Sequence, residues 1–236
     1  MNDRLGLIFT LLALIGCTQR ENIPTYPNMS VTESLKLMQA RSSRIKDISG
    51  EGVITLTDPK GQSARLDAAF VFAPPDRARV RAWKFGQAVL DLTVTPDATF
   101  LFLPRKDGHA EQLRSASGDT SRAVREWLNL LARGFGESDD VRVSGSQLIM
   151  KTPNSLVAYI DRKTLTPRRY VALDESGRER FSLTLDQYRT IDDTVWPMRI
   201  EAKSPGGLVR IDMRDVELND APDTAFKPPS RAERLP

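Results

Sequence analysis

The sequence predicts a mainly β (α+β) protein: a single antiparallel sheet of about eleven strands curled around an N-terminal helix and a central amphipathic helix. Three observations predict it. Apolar residues alternate with a period of two from residue 50 to 103 and again from 141 to 216, the spacing of half-buried strands. Turn sequences such as Asp58-Pro59-Lys60-Gly61, Asp174-Glu175-Ser176-Gly177 and Ser204-Pro205-Gly206-Gly207 separate neighbouring runs, as sequential hairpins require. Apolar residues recur at spacings of three and four in only two places, the start of the domain and residues 124 to 131.

Taken in order, Ser30-Val31-Thr32-Glu33 has the form of a capping box, in which the serine oxygen and the glutamate satisfy free amides at a helix start. Val31, Leu35, Met38 and Ile45 lie near one face of a helix expected to run to about residue 47. Residues 53 to 57 and 65 to 72 form a hairpin, which Pro74-Pro75-Asp76 breaks. Arg77, Arg79 and Arg81 then alternate with Ala78, Val80 and Ala82, so the arginines share one strand face, expected to be the solvated one. Trp83-Lys84-Phe85-Gly86 turns the chain into residues 89 to 94. Pro96-Asp97 turns it again into residues 99 to 103, which are apolar on both faces and expected to be covered on both.

Residues 105 to 120 read as a long polar connection. A second helix opens at Thr120-Ser121-Arg122, carries Val124, Trp127, Leu128 and Leu131, and ends at Gly134 and Gly136. Period-two runs follow at 141 to 143, 148 to 150, 156 to 160, 169 to 173, 181 to 185, 196 to 202 and 208 to 216. No internal boundary or repeat divides residues 29 to 236.

Ahead of this domain Arg4 precedes an apolar run, residues 5 to 15, and small Gly16 precedes the single cysteine, Cys17. The run is well short of the roughly 20 apolar residues that span a bilayer as a helix. No Ala-x-Ala pattern stands near position 17 for ordinary secretory cleavage. Leu14-Ile15-Gly16-Cys17 resembles the lipobox of bacterial lipoproteins, which implies a signal peptide over residues 1 to 16 and lipidation, palmitate included, at Cys17. Thr18 in place of aspartate implies, on the same resemblance, an outer membrane lipoprotein facing the periplasm. Residues 17 to 28, with Pro24 and Pro27, read as a lipidated tether.

Composition narrows the function. Lys and Arg number 34 against 31 Asp and Glu, a net charge of +3 without a basic block, which gives no nucleic-acid signature. One cysteine allows no intrachain disulfide and no Cys-based metal site. The only histidine, His109, sits in the turn-like Lys106-Asp107-Gly108-His109, so a Ser-His-Asp triad or multi-His zinc site would rest on one loop residue. Asp139-Asp140 and Asp192-Asp193 fall in predicted turns without a partner at acid-base spacing. The expectation is a protein that is not an enzyme and carries no cofactor or metal.

The order of lipobox, helix, β-meander, amphipathic helix and β-meander resembles the LolA/LolB lipoprotein-carrier fold, including the half-barrel domain of RseB-like sensors. Residues 79 to 90, Arg-Val-Arg-Ala-Trp-Lys-Phe-Gly-Gln-Ala-Val-Leu, are similar to the strand-turn-strand of LolB-type proteins. Asp186-Gln187-Tyr188-Arg189 with Val195-Trp196-Pro197-Met198-Arg199-Ile200 is similar to that family's tyrosine-containing strand and the strand after it. The resemblance implies a half-barrel whose helices pack as a lid over an apolar cavity. It implies a membrane-anchored periplasmic lipoprotein that binds lipid or lipoprotein acyl chains and assists their transfer to, or placement in, the outer membrane. The other reading is a non-enzymatic sensor or structural accessory lipoprotein that recognises a protein partner in the envelope.

On this resemblance Phe85 is the apolar tip of the turn, and Trp83 and Lys84 join it as membrane-contact candidates, with rings at headgroup level and the ammonium snorkelling. Trp83-Lys84 departs from the proline-containing approach usual there. Phe70, Phe72, Phe100, Phe102, Trp127, Leu131, Tyr159, Phe181 and Trp196 are the candidates to line the cavity, or to fill it as inward residues of small barrels do.

Overall fold

The computed structural model describes residues 23 to 104, 140 to 151 and 156 to 235. The expected signal peptide, Cys17, His109, and the central helix with Trp127 and Leu131 lie outside the described residues.

Helix α1 (Val31–Ser42) begins at the expected capping box: Glu33 N donates to Ser30 Oγ at 3.3 Å, and Ser30 N donates to Glu33 Oε2 at 3.0 Å. The hydrogen bonds from Ser30 hold the Glu33 carboxyl below its usual range. The helix stops earlier than its apolar spacing suggested. Arg44 N and Ile45 N already turn back to Arg41 O and Ser42 O in tighter, three-residue bonds, while Ile45 still packs on the core.

The strands are β1 (Ile48–Thr57), β2 (Ser63–Ala73), β3 (Arg77–Lys84), β4 (Gln87–Val94), β5 (Thr99–Phe102), β6 (Asp140–Ser144), β7 (Gln147–Lys151), β8 (Leu156–Asp161), β9 (Thr166–Leu173), β10 (Glu179–Ile191), β11 (Thr194–Ser204), β12 (Gly207–Leu218) and β13 (Glu233–Leu235). They form one antiparallel, unclosed sheet of 13 strands in the order β13-β5-β4-β3-β2-β1-β12-β11-β10-β9-β8-β7-β6. Two meanders are thus sewn together where β1 meets β12, and β13 returns to flank β5. The expected count of about eleven fell short partly because β13 is three residues long and carries no alternation.

Residues opposite one another in antiparallel strands share a face, so the register gives the core directly. Ile54 pairs with Leu66 and Ile211, Ile211 with Ile200, and Ile200 with Leu185. On the same face Leu183 pairs with Tyr170, Tyr170 with Ala158, and Ala158 with Met150. At the seam, Gly50 and Gly52 of β1 lie against β12, with a bulge beside Gly52; a Cβ on either would drive into the carbonyl oxygen of Asp215 or Asp212. The opposite face is polar, laced by cross-strand pairs such as Arg199–Asp212 at 2.6 Å and Arg210–Glu201 at 2.8 Å.

The arginine face of β3 is only partly the solvated surface its alternation suggested: Arg81 is exposed and Arg77 half-exposed, but Arg79 is covered. Arg79 is an ion-pair partner of Asp91, and a short 3-10 helix (Asp223–Phe226) lies over it. Arg79 Nη1 donates to Ala225 O at 3.1 Å, the Arg77 guanidinium sits 4.7 Å from the centre of the Phe226 ring, and Phe226 is buried. Asp91 thus pairs with Arg79 and Arg81, Asp223 with Arg77, and the C-terminal segment covers Arg79.

Candidate functional site

Two features stand out: an apolar cleft under α1 and the tip of the β3–β4 hairpin. One wall of the cleft is the face of α1 and its exit, Met38, Arg41, Ser42 and Ile45, spaced by three, four and seven. The other is built from Leu165, Thr166, Pro167 and Tyr170 of β9 and its entry, with Leu185 and Tyr188 of β10 and Thr194 to Pro197 of β11. Its cavity volume is about 80 Å³.

At its base the Tyr188 hydroxyl donates to Pro167 O. Burial pushes the phenols of both Tyr170 and Tyr188 well above their usual range, so both stay neutral. At the rim, Arg41 Nη1 donates to Thr164 O at 3.2 Å and Nη2 to the Tyr26 hydroxyl, with the guanidinium 4.8 Å from the Tyr26 ring centre. Tyr26 N in turn donates to Lys163 O at 2.8 Å. The second half of the stretch read as a tether is therefore docked here, with Ile23 and Tyr26 packed against the core.

The hairpin tip is a two-residue loop. Lys84 pairs with Gln87, and Phe85 and Gly86 both have positive φ, 51° and 73°, as a type I′ turn requires. Asn-Gly is the usual choice there. Phe85 instead holds a bulky side chain in the left-handed region while 94% exposed. The Lys84 ammonium lies 5.7 Å from its ring centre, and Trp83 is half-buried at the root, across from Ala88 and Asp67.

The cavity candidates divide between the two faces. Phe70, Phe72 and Trp196 are fully buried on the inner face, where they fill space, and Trp196 also reaches the cleft. Phe181 lies on that face opposite Ala172 and packs against the core. Three others do not line an inner cavity. Phe102 and Phe100 sit across from Asp91 and Thr93 on the arginine face, because Leu101 takes the inward place of β5. Tyr159 points outward between Ile149 and Arg169, because Ala158 is the inward residue facing the large Tyr170.

Tyr188 carried the strand resemblance but was not among the expected site residues, and neither Arg41 nor Tyr170 was expected here; the spacing of Arg41 from Met38 and Ile45 is the signal for it. Of the acid pairs, Asp192-Asp193 does form the β10–β11 turn, with φ of 45° and 62°. Among the described residues no group of three or more His, Cys, Asp or Glu side chains is placed to hold a metal ion, and no helix is long and apolar enough to cross a membrane.

No family model matches the chain, and no curated protein matches it in sequence. Solved structures do. A DUF1329 family protein from Desulfovibrio piger superposes with a TM-score of 0.58 at 15% identity, covering 84% of this chain and 97% of its own. A Vibrio parahaemolyticus domain described as an outer membrane lipoprotein-sorting protein gives 0.54 at 14%, covering 84% and 97%. A LolA superfamily protein from Nitrosomonas europaea gives 0.53 at 12%, covering 85% and 98%. The likeness is one of fold, and the fold of this chain is that of the LolA/LolB-like half-barrels.

Proposed function

We propose that this chain is a non-enzymatic envelope lipoprotein, anchored through Cys17 and facing the periplasm, that takes an apolar chain into the cleft under α1 and places it at the outer membrane. The fold is shared with a lipoprotein-sorting domain and a LolA superfamily protein, which supports the compartment and the ligand class. The observation that carries the reading is Phe85. A ring that is 94% exposed on a strained turn contributes little to the fold, but with Lys84 beside it suits the boundary between headgroups and acyl chains.

Flotation of the unacylated chain, from Thr18 onward, with vesicles rich in anionic lipid tests it. Wild type co-floats and Phe85→Glu does not, at an unchanged far-UV spectrum; equal flotation of the two overturns the reading. Native mass spectrometry of the same preparation is expected to show co-purified lipid.

One observation favours the second reading, recognition of a protein partner. Among the described residues β6 pairs only with β7 and ends the sheet, and its Val143 is 47% exposed. An open edge of this kind can accept a strand from another chain. Saturable binding of an envelope protein that is lost when Val143 becomes Pro would favour this role over lipid placement.

A further inference from the structure

The cleft under α1 carries information about the head of its ligand as well as the tail. Arg41 is the only charged residue among those that line it. The guanidinium is half-buried, and among the described residues it donates to neutral oxygens, Thr164 O and the Tyr26 hydroxyl. Among the described residues no carboxylate pairs with it. Arginine has five N–H donors in a rigid fork, so this one is held in place with donor capacity left and its charge unbalanced. The neutral Tyr170 and Tyr188 phenols place no negative charge in the cleft to repel an anion. Beyond Arg41 the lining is mostly apolar, with Met38, Ile45, Leu185, Val195 and Trp196 among it, which suits hydrocarbon.

We infer that the cleft binds a single-chain amphiphile with an anionic head, the hydrocarbon lying between α1 and β9–β11 and the carboxylate or phosphate held by Arg41. This rests on the apolar-ligand reading above and narrows it. The ester- and amide-linked acyl chains of a lipoprotein carry no anion at the head and leave Arg41 uncompensated, whereas the carboxylate of a free fatty acid or the phosphate of a lysophospholipid satisfies it. A charge-assisted pair on a part-buried guanidinium is expected to favour the anion over a neutral amphiphile of equal chain length by about tenfold or more.

The test is titration calorimetry of the unacylated chain, delipidated, with palmitate, palmitoyl lysophosphatidate and hexadecanol, each below its aggregation concentration. Wild type binds one or both anions at least about tenfold more tightly than the alcohol, and which anion binds more tightly identifies the head. Arg41→Gln reduces the anions to the alcohol's affinity and leaves hexadecanol unchanged. Arg41→Lys, which keeps the charge and guards against a folding defect, recovers part of the preference. If the anions and hexadecanol bind alike in wild type, or if Arg41→Gln keeps the ratio, the anionic head is overturned while the apolar ligand stands. If none of the three binds, both fall together.

Discussion

Arg79 grips Asp91 with two donors, Nε to Oδ1 at 2.9 Å and Nη2 to Oδ2 at 2.7 Å, with side chains 15% and 8% exposed. Thr93 Oγ1 donates to the same carboxylate at 3.3 Å. Removing one partner strands the other's charge under the 3-10 helix. Asp91→Ala is therefore expected to cost about 3–5 kcal/mol in urea unfolding. The double variant Arg79→Met, Asp91→Leu should recover most of that loss, because it buries no unpaired charge.

Phe85→Asn should separate stability from function. Asn tolerates the left-handed region far better than Phe, and the lost contact with the exposed Lys84 is worth about 0.5 kcal/mol. The hairpin should gain about 0.5–1 kcal/mol, read as a small rise in Tm, while vesicle flotation falls. A rise in Tm with full flotation would remove Phe85 from the membrane contact.

Gly52 and Gly61 should respond for opposite reasons. A Cβ at Gly52 meets the Asp212 carbonyl and comes 2.9 Å from Met213 Cα, both backbone atoms that cannot move aside, so Gly52→Ala should cost about 3 kcal/mol or more. At Gly61 a Cβ meets nothing within 4 Å, and only the φ of +83° resists it. Gly61→Ala should cost about 1 kcal/mol by thermal unfolding.

Alkaline stability should report the base of the cleft. The folded chain keeps the Tyr170 proton above the ordinary phenol value of 10.0, whereas the unfolded chain releases it there. Stability is therefore complete below about pH 10 and is lost as the pH rises from there toward the folded value. Tyr170→Phe should remove up to about 1.4 kcal/mol per pH unit from that slope in urea titrations between pH 10 and 12. Tyr188, raised in the same direction, sustains the remainder.

Much of this architecture was legible because period two and turn chemistry are local. The capping box at Ser30, the Phe85-Gly86 tip and the inward Phe70 and Phe72 all follow from a few neighbouring residues. Alternation does not say which face is inward when both are apolar. In β5 the smaller Leu101 turned in and two phenylalanines turned out; in β8, Ala158 took the inward place because Tyr170 opposite already fills it. The arginine face misled for a different reason. Asp91 lies in the next strand and Phe226 far along the chain, and no local pattern announces either. Arg41 became a site residue only once the β9–β11 wall stood opposite it.

The seam between β1 and β12 also sets an order of events as the chain folds. As the chain enters the compartment in which it folds, N-terminus first, β1 to β5 are present before β12, so the inner edge of the first meander waits open while about a hundred further residues follow. Its other edge waits longer still, for β13. Pairings of such long range are slow to form and leave strands exposed meanwhile. The incoming N-terminal half is thus the stage at which this protein most needs a chaperone, and truncation before residue 207 should yield aggregate rather than a smaller domain.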